Sequence, residues 1–178
     1  MAERQTEKRH AAAEGLELRS SAEILSLLAT GQADAARSVE AALPGLAEGA
    51  ALAAQSVRSG GRLVYVAAGS SGLMALADAL ELPGTYGIKR EQIVVLLAGG
   101  IDSLVNMVGG PEDDGDTART EIEALRLDER DCVIGLTASG QTPYPVEALR
   151  AAKKAGAHTI GLSNNAGALI LDIAEVGI

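Results

Sequence analysis

Three stretches of the chain set hydroxyl or amide side chains beside glycine just ahead of a helical pattern: AAGSSGL (67–73), TASGQTPYP (137–145) and GLSNNAGA (161–168). A helix start exposes unsatisfied N–H groups and about half a positive charge. Serine and threonine hydroxyls add donors there, and glycine lets the backbone come close to a ligand. Such a loop can hold an anion. The same residue types are also ordinary helix caps. Three of them on one edge of one sheet favour a phosphate cradle. There is no GxxxxGK[ST], and GSSG is not GxGxxG. With the nucleotide fingerprints missing, the expected ligand is a small phosphorylated metabolite.

Two carboxylates stand near proline and glycine. Glu81 lies in DALELPGTYG, where the helix is expected to end against Pro83 and Gly84, and Glu112 lies in the loop GGPEDDGD. Carboxylates near a ligand edge suit general acid–base work, and two in different environments can divide the acid and base roles. They serve equally as a helix-terminal surface charge and as acidic residues favouring the next helix dipole. No HExxH, paired-cysteine motif or Asp-rich loop is present, so no metal is expected. His10 belongs to the amino-terminal arm and His158 opens a strand, which leaves the serines without a plausible base partner.

The elements that position these residues follow from the apolar pattern. The runs RLVYVAA (62–68), QIVVLLA (92–98), DCVIGLTA (131–138) and HTIGLS (158–163) are nearly continuous, as in strands covered on both faces. A fifth strand is expected over 174–178. Helical patterns separate the runs at 72–82, 102–108, 115–126 and 145–155, giving βαβ units and a doubly wound parallel sheet. Residues 1–15 read as a loose arm. Helical spacing covers 22–28 and 34–58, the second stretch split near Leu43–Pro44 because proline tolerates only a first turn. In an open parallel sheet, ligands bind beyond the carboxyl ends of the strands, where all three hydroxyl loops fall.

Composition excludes several classes. A net charge of −9 argues against a nucleic-acid binder, and no apolar run approaches the ~18 residues of a membrane span. The charged start MAERQTEKRH lacks the apolar core of a secretory signal, and the one cysteine, Cys132, fits a reducing cytoplasm as a buried core residue. With three tyrosines and no Phe or Trp, the core must be aliphatic, which suits small-residue helices packed closely on a parallel sheet.

Taken together and in order, TEKR, SGGRLVYVAAGSSG, DALELPGTYG, LLAGG, GGPEDD and TASGQTPYPVEALRAAKKAG resemble the N-acetylmuramic acid 6-phosphate etherases of the SIS (sugar isomerase) superfamily. The resemblance runs from about Thr6 to the last residue. It implies a three-layer αβα sandwich with a flavodoxin-like, five-stranded parallel sheet over 59–178. The arm and helices of 1–58 would pack on that domain. It also implies a cytoplasmic homodimer with sites near the subunit interface, no metal or organic cofactor, and a sugar phosphate as ligand. The implied reaction cleaves the D-lactyl ether, with Glu81 as the acid for the departing lactate and Glu112 as the base at C2. Ser70, Ser71, Gly72, Ser139, Gly140, Gln141, Thr142 and Asn164 would hold the phosphate or sugar hydroxyls. Two positions depart from that pattern: Leu73 and Gln141 stand where the family usually has arginine. Family members also continue well beyond this length, so the chain is expected to be shortened at its carboxyl end. The rival readings are a non-catalytic sugar-phosphate-binding regulator of the SIS type and a sugar-phosphate isomerase.

Overall fold

In the computed structural model, which describes residues 5–106 and 109–178, the four long apolar runs form strands β1 (Leu63–Ala67), β2 (Ile93–Leu97), β3 (Cys132–Leu136) and β4 (His158–Leu162). A short β5 (Val176–Gly177) completes the sheet in the order β2-β1-β3-β4-β5, with every neighbouring pair parallel. All five residues of β1 are buried, because it lies inside the sheet with helices on both faces. Side chains alternate along it. Leu63, Tyr65 and Ala67 join a cluster with Ala75, Ala79 and Ile134, while Val64 and Val66 join Ile122, Tyr144 and Leu149 on the other face.

The first face is covered by α2 (Leu43–Arg58) and α3 (Gly69–Tyr86), the second by α5 (Gly115–Ala124), α6 (Pro143–Lys154) and α7 (Leu169–Ile173). This is the αβα sandwich with a flavodoxin-like sheet that the sequence implied. A short α4 (Gly100–Asn106) follows β2; positions 107 and 108 of the helix expected there lie outside the described residues. Within the first cluster, burial pushes the Cys132 thiol up to about 12, with the Glu175 charge adding to the effect.

Two helix boundaries differ from expectation. α1 (Ser21–Ser38) runs through Gly31 without a break, opened by a capping box in which Ser20 and Glu23 exchange hydrogen bonds. It buries none of its residues, and Leu25 and Leu28 stay exposed. α3 does not stop before Pro83 but continues to Tyr86. A proline in the last turn removes a single N–H bond, and the helix ends one residue later at Gly87, whose φ of +68° is the left-handed conformation that glycine tolerates.

The edge of the sheet opposite the hydroxyl loops is tied by Asp131, which is 3% exposed. Its Oδ1 accepts from Arg62 N (2.8 Å) and Nε (3.0 Å), and its Oδ2 from Arg62 Nη2 (2.7 Å) and Asp128 N (3.1 Å). These bonds hold the lead-ins of β1 and β3 together. Burial pushes the Asp131 carboxyl up, but the Arg62 guanidinium and the two backbone N–H groups outweigh it and hold the acid below its usual range. A carboxylate whose native pKa is depressed stabilises the fold above the unfolded value, about 3.9, and that stability fades as pH falls through the native value. The urea midpoint should therefore fall below about pH 4, and Asp131→Asn should flatten this part of the profile. An identical acid limb in the variant would contradict the assignment.

Candidate functional site

The ligand edge is built where chain direction diverges. From β1 the chain crosses through α3 to β2, while β3 lies on β1's other side, so the loops after β1 and β3 part and leave a crevice between them. A cavity of about 360 Å³ sits there, lined by Ser70 and Ser71 from the first loop, Ser139 and Thr142 from the second, and Glu112 from the turn Pro111–Asp113. Five of the residues singled out in the sequence thus come together, although their segments lie far apart along the chain.

Local structure explains how each is presented. Ala68 stands ahead of α3 and Thr142 ahead of α6, and neither helix start has a side-chain cap. The hydroxyls are occupied with one another instead. Thr137 Oγ1 is 2.7 Å from Thr142 Oγ1 and 3.3 Å from Ser139 Oγ, and Ser139 Oγ is 3.4 Å from Thr142 Oγ1. A hydroxyl both donates and accepts, so this cluster can turn its protons toward an arriving oxyanion without moving a heavy atom. Thr137 is buried and was not foreseen. Its position as the residue directly after β3, at the carboxyl end of a central strand, is the signal that could have found it.

Supporting residues fix this geometry. The buried Tyr144 donates its O–H to Glu121, which pins the start of α6 to α5; burial first and Glu121 second push its phenol far above the usual range. Tyr65 likewise donates to Asp78 Oδ2 at 2.5 Å, tying β1 to α3. Gly140, at φ +69°, holds the second loop against the third. A Cβ there would lie 2.2 Å from the Ala168 Cβ and 2.6 Å from the Ser163 hydroxyl.

Other expected site residues are placed elsewhere. Gly72 is buried, and a Cβ there would lie 2.9 Å from Leu104 Cδ2 and 3.2 Å from Leu97 Cδ2, so it is a packing position of α3 against α4 and β2. Gly140 and the exposed Gln141 flank the cavity without lining it, and Gln141 N donates to Ser139 Oγ at 3.2 Å. Asn164 lines an adjoining cavity of about 750 Å³, which shares Ser71 and Thr137 with the first. Glu81 is exposed on α3, accepting from Thr85 Oγ1 at 3.1 Å. It lies twelve residues past Gly69, roughly 18 Å along the helix axis, too far to reach the cavity of its own chain.

Among the described residues, no Lys or Arg lines the smaller cavity, no acidic, His or Cys group is arranged to hold a metal, and no helix is long and apolar enough to cross a membrane. The polar groups that line this cavity are hydroxyls, helix N–H groups and the carboxylates of Glu7 and Glu112.

Comparison with known proteins agrees with this architecture. The chain is similar to the N-acetylmuramic acid 6-phosphate etherase of Serratia proteamaculans, 37% identical over 173 residues that cover 97% of this chain and 58% of that one. It is also 42% identical to the etherase of a Geobacillus species over 123 residues, 69% of this chain and 42% of the relative. The chain thus spans less than two thirds of the length of these curated relatives. Among solved structures, a phosphoheptose isomerase from Francisella tularensis superposes with a TM-score of 0.70 at 18% identity, covering 89% of this chain and 85% of that one, which is a likeness of fold. Residues 29–164 match the sequence pattern of the SIS domain, and the chain belongs to that family.

Proposed function

We propose that this chain acts on N-acetylmuramic acid 6-phosphate as an etherase, releasing D-lactate and N-acetylglucosamine 6-phosphate, in a cytoplasmic homodimer. The observation that carries the reading is the pair of helix starts without side-chain caps, converging with three mutually bonded hydroxyls on one cavity that also holds Glu112. The phosphate would lie on the N–H groups of Ser70 and Ser71 and on the Ser139 and Thr142 hydroxyls. Glu112 would then face the sugar.

The chemistry is an elimination followed by an addition. In the open-chain aldehyde the C2 proton is acidified by the neighbouring carbonyl. The Glu112 carboxylate takes that proton, the C–H electrons form the C2=C3 double bond, and the C3–O bond to lactate breaks. The leaving oxygen takes a proton from an acid. Water then adds its hydroxyl to C3 and a proton to C2. Glu112 is exposed at this cavity, so a sugar bound there would cover it and keep water from the reacting proton.

Glu81 supplies the acid only if it comes from a second copy. Its helix exposes Leu73, Met74 and Leu80, an apolar face suited to a partner. A two-fold contact through this face, with its axis across the helix, runs the two α3 helices antiparallel. Glu81 of one copy is thereby set near the helix start of the other. Mixing the inactive variants Glu81→Gln and Glu112→Gln should then restore about a quarter of wild-type lactate release, because half the dimers are mixed and each carries one intact site. No recovery on mixing would remove the shared site.

Leu73, Gln141 and a cavity with no Lys or Arg among its described lining residues favour one rival, a sugar-phosphate-binding regulator. Saturable binding of N-acetylglucosamine 6-phosphate with no lactate release by the wild-type chain would select it.

A further inference from the structure

The amino-terminal segment, expected to be a loose arm, is docked across the site. Thr6 N donates to Asn165 Oδ1 at 3.4 Å, and Asn165 Nδ2 donates back to Thr6 Oγ1 at 3.1 Å. Asn165 is buried and held from its other side: Nδ2 also donates to Ala138 O at 2.9 Å, and its backbone N to Ser163 Oγ at 3.1 Å. One amide side chain therefore joins the arm to the loops after β3 and β4. Thr6 and Glu7 line the same cavity as Ser70, Ser139 and Glu112.

The walls of that cavity differ in chemistry. Hydroxyls and helix N–H groups among its lining residues can donate, while the Glu7 and Glu112 carboxylates only accept. A carboxylate repels a phosphate and binds hydroxyl or amide hydrogens. A lining of both kinds suits a ligand that carries an anion together with hydrogen-bond donors.

We propose that Thr6 and Glu7 form a strap that completes the sugar-binding wall, with Glu7 accepting hydrogen bonds from the hydroxyl or amide end of a sugar phosphate and Asn165 as the residue that positions the strap. The proposal rests on the sugar-phosphate reading above and adds a second carboxylate contributed by the same chain as Glu112. Thr6 Oγ1 accepts from Asn165, which leaves its O–H to donate to the ligand.

Titration calorimetry with N-acetylglucosamine 6-phosphate and with inorganic phosphate separates contacts to the sugar from contacts to the phosphate. Glu7→Ala should weaken the sugar phosphate about tenfold, the scale of a hydrogen bond to a charged group, and leave inorganic phosphate unchanged or slightly tighter. Glu7→Gln, which keeps an acceptor, should recover part of the loss. Asn165→Ala should raise amide exchange over residues 5–9 while the strands stay protected. Adding Glu7→Ala to it should cost nothing further, because the two residues act as one unit. Unchanged sugar-phosphate affinity in Glu7→Ala, an equal loss for inorganic phosphate, or full additivity of the two substitutions overturns the strap. A wild-type chain that binds no sugar phosphate overturns the underlying reading and the strap with it.

Discussion

Glu112→Gln is expected to lower lactate release from N-acetylmuramic acid 6-phosphate by about 10²–10⁴-fold, the range supplied by a positioned general base. Glutamine keeps the volume and a hydrogen-bonding head but cannot accept the C2 proton. Affinity for N-acetylglucosamine 6-phosphate should hold or rise slightly, because the substitution removes a negative charge from the cavity proposed to take the phosphate. The proton itself gives a second readout. In deuterated solvent the wild-type product should carry deuterium at C2, since the proton taken in the elimination is replaced from solvent when water adds. The variant should lose this incorporation in step with lactate release. Turnover within tenfold of wild type would mean that another group takes the proton.

Gly61→Ala is expected to cost at least about 3 kcal/mol of stability, or to prevent folding, although it adds one methyl group. A Cβ at this position would lie 1.9 Å from the Arg130 carbonyl oxygen and 2.4 Å from its carbon. Both atoms are backbone, so no rotamer change can relieve the clash. The approach is close because Arg62 and Asp131, the next residues on either side, are locked by a backbone bond and a two-pronged ion pair. Moving Arg130 away would pull Asp131 from Arg62 and leave a buried carboxylate short of its partner, itself a costly change. Gly31→Ala is the control. Gly31 sits in α1 with open space around it, and alanine there should gain about 0.5–1 kcal/mol from helix propensity. Chemical denaturation of the two variants should move the midpoint in opposite directions.

The strands were legible because a sheet covered on both faces needs apolar residues at every position, and RLVYVAA or QIVVLLA leaves little choice of period. The hydroxyl loops were legible as a consequence, since a parallel sheet sends its ligand loops to one edge. Whether those hydroxyls cap their helices was not. The answer lies in side-chain direction, where Thr142 turns to Thr137 rather than to its own helix. Glu81 shows another limit. Like Glu112 it stands beside proline and glycine, but its place twelve residues along α3 sets it far from the cavity at the start of that helix. Docking of Thr6 had no local signal at all. It depends on Asn165, 159 residues away, and an arm rich in charge carries nothing in its own pattern to announce one amide partner.

Cys132 offers a practical opening for spectroscopy. It is the one cysteine of the chain, sealed in a central strand with its thiol held protonated at neutral pH. A cysteine introduced at an exposed position would be the only thiol open to a probe, with no need to remove the native one. One such site on the arm, at Arg9, and another on the exposed surface of α4, at Ile101, would carry a donor and acceptor dye across the ligand edge. Arrival and departure of a ligand could then be followed one molecule at a time.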